Sequence, residues 1–227
     1  MPSNPIATAA DYADALITAR RFKSVLFLVI LVALLLELSL FFLARYNVLP
    51  ISMTAGAAAA STTGASPAMA LLLQYLTVIG TFLGLTGSII LSFVLLLIAT
   101  IMLVGRLIGV GRITSAYIWC IVLIVLLFPW QAIYVNPTLL ADQQMQDKDF
   151  RIPGVLYTWT ELSHPTLGAK FPTDDPRMAA LRWARFVGFP SLAIVVLLIS
   201  QLASGRALKQ ALGEAELDAA VDRATAI

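Results

Sequence analysis

The sequence contains very little of what most active sites are built from. In 227 residues it has one cysteine, one histidine and only 12% charged residues. The single Cys120 excludes an intramolecular disulfide and a cysteine-based metal cluster. The single His164 excludes bis-histidine haem ligation and disfavours a zinc site. No Gly-x-Ser-x-Gly or His-Glu-x-x-His motif is present. We therefore expect no metal, no cofactor and no enzymatic activity.

Charge is low in total and uneven in its distribution. The net charge of +2 is too small to indicate a nucleic-acid partner. Residues 46 to 105 contain no Asp, Glu, Lys, Arg or His at all. The first apolar run is about 20 residues long, beyond the roughly 7–15 of a secretory signal core, so we expect it to be retained.

Long apolar runs dominate the chain, which is 59% hydrophobic. A spanning helix needs about 20 mostly apolar residues, and four segments meet that length: about 24–44, 79–104, 114–135 and 187–204. The sequence therefore predicts an all-α, polytopic integral membrane protein with four transmembrane helices, in contact with the lipid bilayer.

The second of these runs extends well before residue 79. Ser66-Pro67 is typical of an N-cap followed by proline at the first helical position, which predicts a helix from Pro67 to Val104. Its length of about 57 Å exceeds the bilayer, so its first three turns should protrude. A re-entrant turn at Gly84–Gly87 would instead give five spans. We favour four, because a turn there would leave backbone groups unpaired in lipid.

The remaining segments follow from these spans. We expect an amphipathic interfacial helix over 1–23, three spans within 24–135, an external cap over 136–186, a fourth span over 187–204 and a cytoplasmic helix over 205–227. Lys and Arg near the span ends favour both termini in the cytoplasm. The absence of a targeting segment and the single cysteine favour a bacterial inner membrane.

Glu37 is the only ionisable side chain in the first span. A charged group in mid-membrane costs at least a few kcal/mol, so such residues face the bundle interior. When residues at the same depth in the bilayer are matched, Glu37 lies opposite Ile89 of the second helix. That helix carries one small residue at every fourth position, a pattern that permits close helix packing: Gly80, Gly84, Ser88 and Ser92. We expect an uncharged Glu37 hydrogen-bonded to Ser88 or Ser92.

Two interpretations of Glu37 remain open. It is a polar contact between helices or subunits, or it is a proton or ion site on a transport path. Transport proteins tend to contain chains of ionisable partners, and the four predicted spans hold no other acidic, basic or histidine residue. This isolation favours the structural interpretation.

The segment Gly105–Arg112 links the second and third spans. It reads as a tight cytoplasmic hairpin whose arginines set the topology. In the alternative, Arg106 and Arg112 together with glycine amides contact the phosphate of an anionic lipid.

The outer half offers fewer signals. Pro129 and Pro190 predict kinks in their helices. Met178–Phe186 predicts a short interfacial helix with Trp183 at headgroup level. His164 lies in the external cap without a recognisable catalytic neighbour.

Three hypotheses for function follow. The first is a non-catalytic scaffold or accessory subunit that packs against other membrane proteins or against copies of itself. The second is a small transporter or channel that uses Glu37. The third is a membrane enzyme or sensor that uses the cap around His164.

Overall fold

The computed structural model describes residues 9–46, 67–128 and 176–213, and the regular structure in those ranges is entirely helical. The helices are α1 (Ala9–Arg45), α2 (Pro67–Val104), α3 (Val110–Leu127), α4 (Pro176–Trp183), a π-helical segment (Ala184–Gly188) and α5 (Phe189–Ala211). Four stretches are long and apolar enough to cross a membrane: Tyr12–Arg45, Leu71–Val104, Val110–Leu127 and Ala184–Ala211. The all-α class and the four span-capable helices are thus confirmed. Most of the predicted external cap, including His164, lies outside the described residues.

The bounds of α2 are those that the sequence predicted. The helix begins at Pro67, whose missing N–H costs nothing in the first turn, and it ends at Val104. It continues without interruption through Gly84 and Gly87. The five-span alternative was therefore wrong, because the unbroken helix keeps its backbone groups hydrogen-bonded through this stretch.

Two predicted boundaries fall inside continuous helices. No Gly or Pro occurs between residues 9 and 45, so nothing ends α1 near Lys23. The structure accordingly shows no break between a surface helix and the first span. At the other end, α5 runs through Ser204 to Ala211, past the predicted limit of the fourth span. Residues beyond 213 lie outside the described part of the chain.

The link between α2 and α3 is a tight hairpin, as expected. The Gly105 N–H donates to the Ile101 carbonyl at 2.9 Å, and the Leu107 N–H donates to the Met102 carbonyl at 2.9 Å. Gly109 closes the turn with φ of 103°. A Cβ at this position would lie 3.2 Å from the Ala207 carbonyl oxygen of α5. Glycine is required here for its backbone conformation and for the close approach of α5.

Gly109→Ala should therefore destabilise the protein by about 1–3 kcal/mol, because alanine would adopt an unfavourable φ and crowd a backbone carbonyl. The free energy of unfolding in mixed micelles measures this. Gly111→Ala is the matched control, since no atom lies within 4 Å of a Cβ at that position. If the two variants unfold alike, the hairpin does not depend on Gly109 in this way.

The helix that precedes Pro190 widens into a π-turn. The Phe189 N–H donates to the Ala184 carbonyl, five residues back. Proline lacks an N–H and its ring crowds the carbonyl four residues earlier, so a wider turn accommodates it. The structure thus shows a local distortion where the sequence predicted a kink. The α4 helix and the π segment also cover the predicted helix Met178–Phe186.

The described residues divide into two compact units. Unit 1 contains residues 9–29, 87–124 and 195–213. Unit 2 contains residues 30–46, 67–86, 125–128 and 176–194. Each unit draws segments from both ends of the chain, so its internal contacts join α1 to helices that are distant in sequence.

Candidate functional site

Glu37 lies in the contact between α1 and α2 in unit 2. Its side chain is 0% exposed, and its Oε1 accepts a hydrogen bond from Thr81 Oγ1 at 3.2 Å. The carboxyl group lies over Gly80, where an added Cβ would be 3.5 Å from Oε1 and 3.5 Å from Leu36 Cδ2. The expectation that Glu37 faces the small-residue side of α2 is met at Gly80.

The depth predicted for Glu37 was wrong. The carboxyl lies beside Gly80 and Thr81, nine residues before Ile89, which is about 13 Å along a helix. The sequence estimate assumed that the first turns of α2 protrude alone. In the structure, Leu73 packs in one cluster with Leu40, Phe41 and Ala44 of α1 and with Phe186. These turns pair with the end of α1 and thereby set the register.

The predicted small-residue ridge of α2 divides between the two units. Gly80 and Gly84 are buried in unit 2. Ser88 is buried in unit 1, where its carbonyl oxygen accepts a weak hydrogen bond from Cys120 Sγ at 3.7 Å. Ser92 is half-buried. The ridge therefore packs against α1 in one unit and against α3 in the other. The predicted hydrogen-bond donor to Glu37 was Ser88 or Ser92, whereas the donor in the structure is Thr81.

An aromatic cluster that sequence reasoning missed lies in the same unit as Glu37. The rings of Phe41 and Phe186 stack with centroids 5.2 Å apart. Trp183 meets Phe41 edge-on at 5.7 Å. Trp183 was predicted as a headgroup anchor, and its ring is also part of this cluster. The cluster joins α1 to the helix that precedes Pro190.

Lys23 is the second functional candidate that sequence reasoning missed. By sequence it is one of the cations near the end of the first predicted span, but its side chain is only 2% exposed. Its Nζ donates to Ser204 Oγ of α5 at 2.7 Å, and Ser204 Oγ donates to the Gln201 carbonyl at 3.1 Å. The first of these hydrogen bonds connects α1 to α5 within unit 1.

A sequence signal for Lys23 did exist. Positions seven residues apart lie close to one face of a helix, and the α1 residues at this spacing are all buried: Leu16, Lys23, Ile30, Glu37 and Ala44. Lys23 and Glu37 are the two ionisable residues of this series, and both are buried. The predicted helix boundary at residue 23 divided the series between two helices, so the pattern was not recognised.

Lys23→Met should unfold within about 1 kcal/mol of the wild type, because it retains the packed chain while Ser204 keeps its bond to Gln201. Lys23→Ala removes the chain, and the cavity should cost about 2–4 kcal/mol. Arg21→Ala, which deletes an exposed cation two residues away, is the control. Equal losses in the methionine and alanine variants would show that the amine itself, rather than its chain, stabilises unit 1.

Arg106 and Arg112 are both exposed on the hairpin. The backbone N–H groups of this hairpin can only partly supply the phosphate contacts predicted for the glycine amides. The N–H groups of Gly105, Arg106 and Leu107 already donate to carbonyls of the last turn of α2. Contacts to an anion would therefore come mainly from the arginine side chains.

No group of three or more His, Cys, Asp or Glu side chains that could hold a metal ion occurs in the described part of the chain. Glu37 with Thr81 forms a polar contact between α1 and α2 within unit 2.

Comparison of the chain with models of known protein families, with curated proteins and with solved structures finds no match.

Proposed function

We propose that this protein is a non-catalytic integral membrane component, a scaffold or accessory subunit that acts by packing against other membrane proteins. Four apolar helices of spanning length support this proposal. So do the large apolar side chains exposed along α2, among them Phe82 at 66% and Phe93. Lipid or partner helices would cover these side chains.

The observation that carries the proposal is the enclosure of Glu37. The buried carboxyl group accepts a hydrogen bond from the Thr81 hydroxyl and lies over Gly80 inside unit 2. A protonated carboxyl in such a site joins two helices through a hydrogen bond, at a position where lipid offers no partner. This is a packing role, and it requires no path for water.

A small proton or ion transporter is the second candidate, and Lys23 favours it. The sequence argument against transport depended on Glu37 being the only ionisable residue in a span. The structure buries Lys23 of α1 in unit 1 as well as Glu37 in unit 2. Two buried ionisable groups on one helix are more than a simple packing helix needs.

Substitution of Glu37 separates the two functions. Under the packing role, Glu37→Gln retains the acceptor for Thr81 and should assemble and unfold like the wild type, within about 1 kcal/mol. Glu37→Leu removes the acceptor and should weaken the α1–α2 contact measurably. Proton flux into liposomes, followed with an entrapped pH dye, is the second readout. If the wild type conducts protons and Glu37→Gln does not, the transporter function replaces the scaffold.

A partner is tested with a photoreactive amino acid in the spans. Placed at Phe93, which is exposed, it should cross-link to one membrane protein or to a second copy of this chain. Placed at Leu95, which is fully buried, it should cross-link only within the chain. Cross-links from Phe93 to lipid alone would contradict the scaffold function.

We also propose a bacterial inner-membrane location with both termini in the cytoplasm. The cations of α1, of the hairpin and of α5 support that orientation. Asp147→Cys, in a Cys120→Ser background, should react with an impermeant maleimide from the external side. Labelling from the cytoplasmic side alone would reverse the orientation.

A further inference from the structure

Two elements of unit 1 place four exposed cations around one close contact. A Cβ at Gly109 would lie 3.2 Å from the Ala207 carbonyl oxygen and 3.5 Å from Gln210 Oε1, so the hairpin lies directly against α5. Exposed cations occur within three residues of this contact on both elements: Arg106, Arg112, Arg206 and Lys209. We call these four residues the basic rim.

The α1 helix adds charge of the same sign. The bond between Lys23 and Ser204 fixes α1 against α5 two residues before Arg206. Arg20 and Arg21 occupy the turn of α1 that precedes Lys23. The described residues of unit 1 in the ranges 87–124 and 195–213 include no Asp or Glu. The acidic residues in the described part of unit 1 are Asp11 and Asp14 of α1, against seven Lys and Arg residues in the three ranges, so this unit carries a net positive charge.

Exposed apolar side chains lie next to the basic rim. Ile108, between the two arginines of the hairpin, is 76% exposed, and Leu103 and Val104 at the end of α2 are also exposed. A soluble anion would gain nothing from these side chains. A phospholipid presents a phosphate beside an acyl chain and so complements both kinds of side chain at once.

We propose that the basic rim binds the phosphate group of anionic phospholipids, with Ile108 and the exposed end of α2 against the acyl chains. Guanidinium groups form paired hydrogen bonds with phosphate oxygens, and three of the four cations are arginines. Since hairpin amides 105–107 are already engaged, the side chains provide these bonds. This inference rests on the proposed membrane location, and it specifies the lipid class.

The test is native mass spectrometry of the full chain in detergent, titrated with phosphatidylglycerol or with phosphatidylcholine of the same acyl chains. The wild type should retain phosphatidylglycerol preferentially. Each surface cation contributes about 1 kcal/mol to anionic lipid binding, so Arg106→Gln/Arg112→Gln/Arg206→Gln should lower that affinity by roughly a hundredfold. Arg45→Gln/Arg177→Gln/Arg182→Gln removes the same charge from unit 2 and should leave the binding at the rim unchanged.

Several results would overturn the inference. Equal retention of the two lipids would show no headgroup selectivity. Equal losses in the two triple variants would assign the effect to net charge alone. Competition by inorganic phosphate would identify a free-anion site, and competition by a polyglutamate peptide would identify an acidic protein partner.

A separate measurement distinguishes this inference from the membrane location on which it rests. If the protein resists carbonate extraction from phosphatidylglycerol and phosphatidylcholine liposomes alike but binds both lipids equally, only the lipid inference fails. If carbonate extracts it from both, the membrane location itself fails.

Discussion

Gly80→Leu is expected to separate α1 from α2 and to lower the free energy of unfolding by about 3 kcal/mol. A Cβ at Gly80 already reaches van der Waals distance, 3.5 Å, from Glu37 Oε1 and Leu36 Cδ2. The further carbons of leucine would occupy the space of the carboxyl group. Glu37 would then lose its position against Thr81, and a polar group would face apolar surroundings without its donor. Unfolding in mixed micelles measures the loss.

Gly80→Ala is the matched control. Its single added carbon makes an ordinary contact, and alanine is the better helix former by up to about 1 kcal/mol. We expect this variant to be as stable as the wild type or slightly more stable. If Gly80→Leu also unfolds like the wild type, this side of α2 does not pack against Glu37.

Phe41→Ala is expected to have a comparable effect, a loss of about 3 kcal/mol. Phe41 is fully buried between the stacked ring of Phe186 and the edge of Trp183. In a membrane the unfolded helices already lie in lipid, so the transfer of the ring from water contributes little. The cost comes from lost packing and from the cavity, which places it at the lower end of the range for such substitutions.

Phe82→Ala controls for the loss of a phenyl ring as such. Phe82 is exposed on α2 in the same unit, and its removal should change the free energy of unfolding by less than about 0.5 kcal/mol. Equal losses at Phe41 and Phe82 would mean that the aromatic cluster does not hold α1 to the helix preceding Pro190.

The bounds of α2 were the most predictable feature, because their signals are local. Ser66-Pro67 identified the start of α2, and no further proline interrupts the helix before Val104. The burial of Glu37 was also predictable, since a carboxyl group in lipid is costly wherever its helix lies. Both inferences need only one helix and its solvent.

Register was not predictable from span centres. The pairing of Glu37 with Gly80 follows from the packing of Leu73 and Phe186 around Phe41, and those residues belong to three helices. Hydropathy measures the length of each run but carries no information about which side chains interlock. The burial of Lys23 was missed for the same reason, because a lysine at the end of an apolar run is usually a flanking charge.

Lys23 is buried in unit 1 and Glu37 in unit 2, and any function must explain both. Under the scaffold function, each joins α1 to another helix, Lys23 to α5 and Glu37 to α2. Under the transporter function, each would have to exchange protons with water. The flux assay with Glu37→Gln addresses this difference directly.

The packing of residue 37 against the glycine side of α2 is tested most directly by cysteine cross-linking. In a Cys120→Ser background, the pair Glu37→Cys/Gly80→Cys should oxidise readily to a disulfide in membranes, and the pair Glu37→Cys/Phe82→Cys, with Phe82 on the exposed side, should stay reduced. The account is contradicted if the Glu37→Cys/Gly80→Cys pair stays reduced while Glu37→Cys forms a disulfide with Phe82→Cys. The same holds if it forms one with Ile89→Cys, at the depth estimated from sequence.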